Sequence, residues 1–164
     1  MIQRGACMAM ETEYGRVPSE ATDRIVLRGG LSETTHLPEW VENLAARYGI
    51  DDELQFAIHL CLEEAVSNVI RHGYAQDNTE PVTIEFTRPR EGQVVFTVED
   101  FARPFNPLLE PEMPLVDAGG EPTIGGRGIR LLRAFAHTLE HERTATGNRL
   151  RIGFTDARTE VPQA

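Results

Sequence analysis

The chain has 164 residues, enough for one domain to bury an apolar core without disulfide or metal staples. Its formal net charge of −10 argues against a general nucleic-acid binder, which needs a basic face for phosphates. Two cysteines, Cys7 and Cys61, make no disulfide framework. No signal-peptide apolar region appears, and no run approaches the roughly eighteen apolar residues of a bilayer span, so a soluble cytoplasmic protein is expected.

Residues 1–20 mix Gly, Pro and charges without periodicity and read as a loose tail. Ile25 to Leu27 form a short strand before the Gly29-Gly30 break. Pro38, Trp40, Leu44 and Tyr48 then mark a helix that Gly49 stops. Asp51 or Asp52 can cap the next helix, which is expected to run to about His72 and end at Gly73. Val82, Ile84 and Phe86 alternate, as do Val94, Phe96 and Val98, which predicts two strands joined by a turn at Arg90–Gly92.

From Ala102 to Gly126 the pattern dissolves into Pro, Gly and acidic residues, a length that suggests a functional lid. Helical spacing resumes at about Arg127 and continues through Ile129, Leu132 and Phe135. Strands are expected at Thr138–Arg143 and Arg149–Phe154 around the turn Thr146-Gly147-Asn148. This order predicts an α+β fold, a two-layer sandwich with helices on one face of a mixed, mostly antiparallel sheet. The domain is placed at residues 21–156, with tails at 1–20 and 157–164.

Three segments carry candidate chemistry. In CLEEAVSNVIRHGY (Cys61 to Tyr74), Leu54, Ile58, Cys61, Leu62, Ala65 and Val69 share the core-facing stripe. Glu64 and Asn68 lie about 40° apart at its margin, at about 100° per residue. Glu63 falls round the back, so Glu64 is the candidate. The acid–amide pair suggests an oxygen-rich metal site, and equally a polar margin on a core helix. Next, Asp100 ends an alternating strand, where a fixed carboxylate can accept from an exocyclic amine such as adenine's, or simply cap a turn. Third, Gly125-Gly126-Arg127-Gly128 opens a helix, where backbone N–H groups can approach an anion or merely punctuate. His72 lies four residues after Asn68, near a phosphate or lid position or simply at a helix C-terminus. The remaining histidines, His141 among them, show no metal-ligand spacing.

Taken together, Glu64-x-x-x-Asn68, Asp100-x-Ala102 and Gly125-Gly126-x-Gly128 resemble the successive boxes of the GHKL (Bergerat-fold) ATPase and kinase superfamily. EAxxNxxxHGY (Glu64 to Tyr74), DxxxPFNP (Asp100 to Pro107), GGRGIRLLR (Gly125 to Arg133) and GNRLRIGF (Gly147 to Phe154) resemble its short anti-sigma-factor serine/threonine kinases, the RsbW-like group. The resemblance covers roughly residues 20–155. It implies ATP and Mg²⁺ as cofactors, with Asn68 on the metal, Glu64 as general base and Asp100 on the adenine amine. Gly125, Gly126 and Gly128 would shape the lid hinge and phosphate contacts, and His72, Ala102, Phe105 and Arg127 count with them among the nucleotide-binding positions. The family usually has Gly where this chain has Ala102. The implied activity is phosphorylation of an anti-anti-sigma (STAS-type) protein by a homodimeric anti-sigma factor that also holds a sigma factor, with no direct nucleic-acid or membrane contact. The alternative is a nucleotide-gated binding module with little or no turnover.

Overall fold

Residues 22–28, 30–74, 80–109 and 127–156 are described, in a computed structural model. Strand β1 (Thr22–Leu27) leads through a 3-10 turn at Leu31–His36 into α1 (Leu37–Tyr48). Pro38 occupies the first turn of α1, and Gly49 ends it in the left-handed region at φ 69°, a conformation that favours glycine. Helix α2 (Asp52–Asn68) starts on Asp51, whose carboxylate accepts from the Leu54 N–H at 2.8 Å. Its α-geometry stops at Asn68, and Val69–Gly73 forms a π turn, so the helix expected to continue to His72 changes geometry just after Asn68. Such turns concentrate at functional sites.

Strands β2 (Val82–Arg90) and β3 (Gln93–Asp100) form a hairpin, and α3 (Arg127–Phe135) precedes the hairpin of β4 (Thr138–Arg143) and β5 (Asn148–Thr155). The sheet order is β1-β2-β3-β5-β4. Every pairing among the described residues is antiparallel, so the expected mixed character is absent there. The β2–β3 register shifts between Thr87 and Arg90, at Pro89, which has no N–H to give a ladder. Of the expected lid, residues 102–109 are described and contain a 3-10 turn at Pro107–Leu109. Gly125 and Gly126 lie outside the described residues.

The central strand β3 organises the core. Val94, Phe96 and Val98 are buried, and their register partners on β2 and β5 present the same face. Phe96 packs on Phe86 at 5.4 Å, Phe154 at 6.1 Å and Trp40 of α1 at 5.9 Å between ring centroids. Ile58, Leu62 and Val66 of α2 and Leu132 of α3 join the same cluster. Each of these large side chains stabilises the fold by about 1.5–3 kcal/mol through burial. This packing seats the C-terminal end of α2 over the end of β3 where Asp100 stands.

Candidate active site

Asp100 is the last residue of β3 and pairs with Asn148, the first of β5. One carboxylate oxygen, Oδ1, accepts from the Ala102 N–H at 2.8 Å, the Asn148 side-chain amide at 2.9 Å and the Asn148 N–H at 3.3 Å. Oδ2 receives no hydrogen bond from the described residues. Asn148 in turn accepts, through Oδ1, from the Phe105 N–H and from Arg143, each at 3.2 Å, and Arg143 also donates to the Ala102 carbonyl at 2.9 Å. The loop after β3 is thereby strapped to the sheet end. A Cβ at Gly147 would collide with the Asp100 carbonyl, which leaves room for glycine alone in that turn.

Tyr74 closes the other side of this loop. Its hydroxyl donates to the Pro81 carbonyl at 2.9 Å and accepts from the Phe101 N–H at 3.2 Å. Burial raises its pKa above the ordinary phenol value; the Phe101 amide opposes this, and the charges of Asp100 and Glu80 add to it. Arg103 reaches back to the His72 carbonyl at 3.0 Å. The His72 ring is exposed and lies 6.3 Å from the Phe105 ring. Ala102 is buried, and no described residue other than glycine has a positive φ, so Ala102 sits there without backbone strain.

Across from the strand end, α2 presents Glu64 and Asn68, both half-buried. The first turn of α3 approaches them at Gly128. A Cβ built there would lie 2.5 Å from Glu64 Oε2 and 3.3 Å from Asn68 Nδ2, so the glycine lets the α3 N-terminus touch the pair. Arg127 begins α3; its side chain lies outside the description. The Glu64 carboxylate accepts no hydrogen bond from the described residues. Glu63 is turned to solvent, with His59 at 4.0 Å. Burial, with the Glu64 charge adding to it, pushes the Cys61 thiol up to about 12, so it stays protonated and is no nucleophile.

Between the α2 end and the sheet end lies a cavity of about 20 Å³ whose polar lining is Asn68, Asp100, His141 and Asn148. It holds about one water, with Phe105 and Pro107 forming part of its wall. A wider groove of about 420 Å³, near Tyr48, Arg88 and Gly92, lies at the opposite end of β3 and carries none of these groups. The donor set suits an adenine nucleotide: among the described residues Asp100 Oδ2 is an open acceptor and the buried His141 Nε2 has no partner, and Gly128 leaves a cradle at a helix N-terminus. Among the described residues no cluster of three His, Cys, Asp or Glu side chains can hold a metal. Asn68 carries an amide oxygen, a ligand type that Mg²⁺ accepts alongside water and phosphate oxygens.

Sequence reasoning missed Asn148, Arg143 and His141. Asn148 reaches Asp100 across 48 positions, a pairing that only the β3–β5 register creates. The available signal was an Asn opening a strand, an unfavourable residue there unless its amide is in use.

An α+β domain with its acid–amide helix over an antiparallel sheet end matches a known class. The histidine kinase-like ATPase domain matches residues 31–154, and the chain belongs to that family. A serine/threonine-protein kinase of Bordetella bronchiseptica, BtrW, is 28% identical over 135 residues, covering 82% of this chain and 94% of that protein. A crystal structure of the RsbU and RsbW domains of a Mycobacterium tuberculosis protein superposes with a TM-score of 0.59 at 17% identity, over 82% of this chain and 32% of that one. The blue-light activated histidine kinase of Erythrobacter litoralis superposes with a TM-score of 0.50 at 17% identity, over 78% of this chain and 42% of that one. This chain thus spans less than half of either structural relative, and those two likenesses establish the fold. Among the described residues no helix is long and apolar enough to cross a membrane.

Proposed function

We propose that this chain is an ATP- and Mg²⁺-dependent protein serine kinase of the anti-sigma type. Its substrate on this reading is a small anti-anti-sigma (STAS-type) protein, and a sigma factor is the alternative partner. The observation that carries the reading is the approach of Gly128 to Glu64 and Asn68, with Asn68 and Asp100 lining one cavity. When bound, Mg²⁺-ATP supplies the transferable phosphoryl group and the counter-charge for its oxygens. Asn68 gives an amide oxygen to the metal. Glu64, unencumbered by any described hydrogen bond, takes the proton of the attacking serine hydroxyl. Asp100 Oδ2 accepts from the adenine amine while Oδ1 stays anchored to Asn148 and Ala102.

The cavity of about 20 Å³ is too small for a purine ring, so the wall formed by Phe105 and Pro107 gives way when the base enters. On this reading Gly125, Gly126, Arg127 and His72 serve the phosphate and lid side. The test is incubation of the purified chain with labelled ATP, Mg²⁺ and a purified STAS-type protein. Serine phosphorylation that disappears in Glu64→Gln supports the kinase. A second reading, an ATP-gated binding module without turnover, is favoured by the same lack of any described group orienting the Glu64 carboxylate. Tight ATP binding with no phosphoserine would establish it.

A further inference from the structure

His141 stands on β4 opposite Leu150 of β5, and through Val98 to Ile84 the rung continues across the apolar inner face of the sheet. The next rung outward is Arg143, Asn148 and Asp100, the group that anchors the candidate base-binding end. His141 therefore lies one rung inside that end, on the same face. Its Nε2 is the one buried side-chain nitrogen or oxygen among the described residues that has no hydrogen-bond partner. Buried polar atoms are nearly always satisfied, so an orphan beside a cavity marks the place of an absent partner. The cavity it lines is the one shared by Asn68, Asp100 and Asn148.

We infer that His141 is a base-contacting residue that fixes the preference of this site for adenine. This rests on the nucleotide reading given above. With a proton on Nε2, the imidazole offers a donor to the cavity that Asp100 also lines. Adenine presents the matching pair, an exocyclic amine next to a ring nitrogen that accepts. Guanine places a carbonyl oxygen where the amine would stand, facing the Asp100 carboxylate, and is rejected. The imidazole thus reads the ring nitrogen while Asp100 reads the amine. Arg143 and Asn148 are already committed to the loop carbonyl and to Asp100, so neither competes for that nitrogen.

The test is calorimetric binding of ATP, GTP, 1-deaza-ATP and 7-deaza-ATP to the full chain and to His141→Phe and His141→Gln. Loss of one such hydrogen bond is expected to weaken ATP binding about tenfold in His141→Phe. His141→Gln, which keeps a donor, should stay within about threefold. The wild type should lose affinity for one of the two deaza analogues, and that penalty should vanish in His141→Phe. A purely structural histidine would leave the same analogue penalty in both proteins, which overturns the inference. If His141→Phe fails to fold, as a circular dichroism melt would reveal, the analogue series on the wild type decides: no penalty with either analogue overturns it. A wild type that binds GTP as well as ATP also overturns it, and one that binds neither overturns the nucleotide reading itself.

Discussion

Two carboxylates belong to the candidate site, one on the sheet end and one on α2, and they are held in opposite ways. Asp100 ends a central strand and spends one oxygen on three donors from Ala102 and Asn148. Glu64 rides on a helix, touches the helix opposite at Gly128, and takes no hydrogen bond from the described residues. A carboxylate locked by its fold is suited to recognition, because its direction is set before the ligand arrives. A carboxylate with no donor among the described residues has both oxygens open to a proton from an attacking hydroxyl. The contrast separates the two duties of the site and predicts that mutations will separate them too.

The largest expected effect is on the free carboxylate. Glu64→Gln should lower phosphoryl transfer by about 10²–10⁴-fold, the usual worth of a general base. It should leave the unfolding free energy within about 0.5 kcal/mol, as for a substitution that breaks no buried contact. Full transfer by that variant, measured with labelled ATP, would sink the base assignment, and a large fall in stability would erase the contrast.

Asp100→Asn should behave in the reverse sense. It puts an amide where the adenine amine needs an acceptor, so ATP affinity should fall by roughly 10- to 100-fold, with about 1 kcal/mol lost from folding. Unchanged ATP affinity would show that Asp100 serves only the loop.

Gly128→Ala sharpens the geometry further. The added methyl meets Glu64 Oε2 at 2.5 Å, and that flexible side chain can move aside. Transfer is expected to drop about tenfold while the helix gains up to about 1 kcal/mol from losing a glycine. Equal activity in both proteins would show that the carboxylate position is not critical.

Tyr74→Phe gives the smallest effect, about 1 kcal/mol, by leaving the Phe101 N–H without its acceptor. The wild-type phenol has its pKa raised on folding, so the stability it contributes is complete below pH 10 and lost as pH rises through its folded value. Urea titrations between pH 8 and 11 should therefore show a shallower alkaline decline in the variant. Cys61 declines with the same sign in both proteins, because its thiol too is raised.

Much of this arrangement was legible in the chain because it is local. The alternation of Val94, Phe96 and Val98, the stop at Gly49 and the cap at Asp51 each depend on neighbours a few residues away. The choice of Glu64 over Glu63 followed from helical geometry, and the structure places Glu63 in solvent. What escaped was non-local. Asn148, Arg143 and His141 gain their surroundings only when β5 crosses to pair with β3 and brings β4 beside it. The π turn after Asn68 was equally hidden, since Val69 to His72 continue a helical apolar pattern while the backbone departs from it.

Gly73, at the end of that turn, has a further consequence. A Cβ added there would stand 2.6 Å from the Cβ of Ala102. Room for a single methyl is shared between the helix end and the loop, and in this chain the loop has it. Gly73→Ala alone should crowd the junction, whereas the exchange Gly73→Ala with Ala102→Gly moves the methyl to the other side of the seam. The two positions therefore form one volume, and their substitutions should be read as a pair.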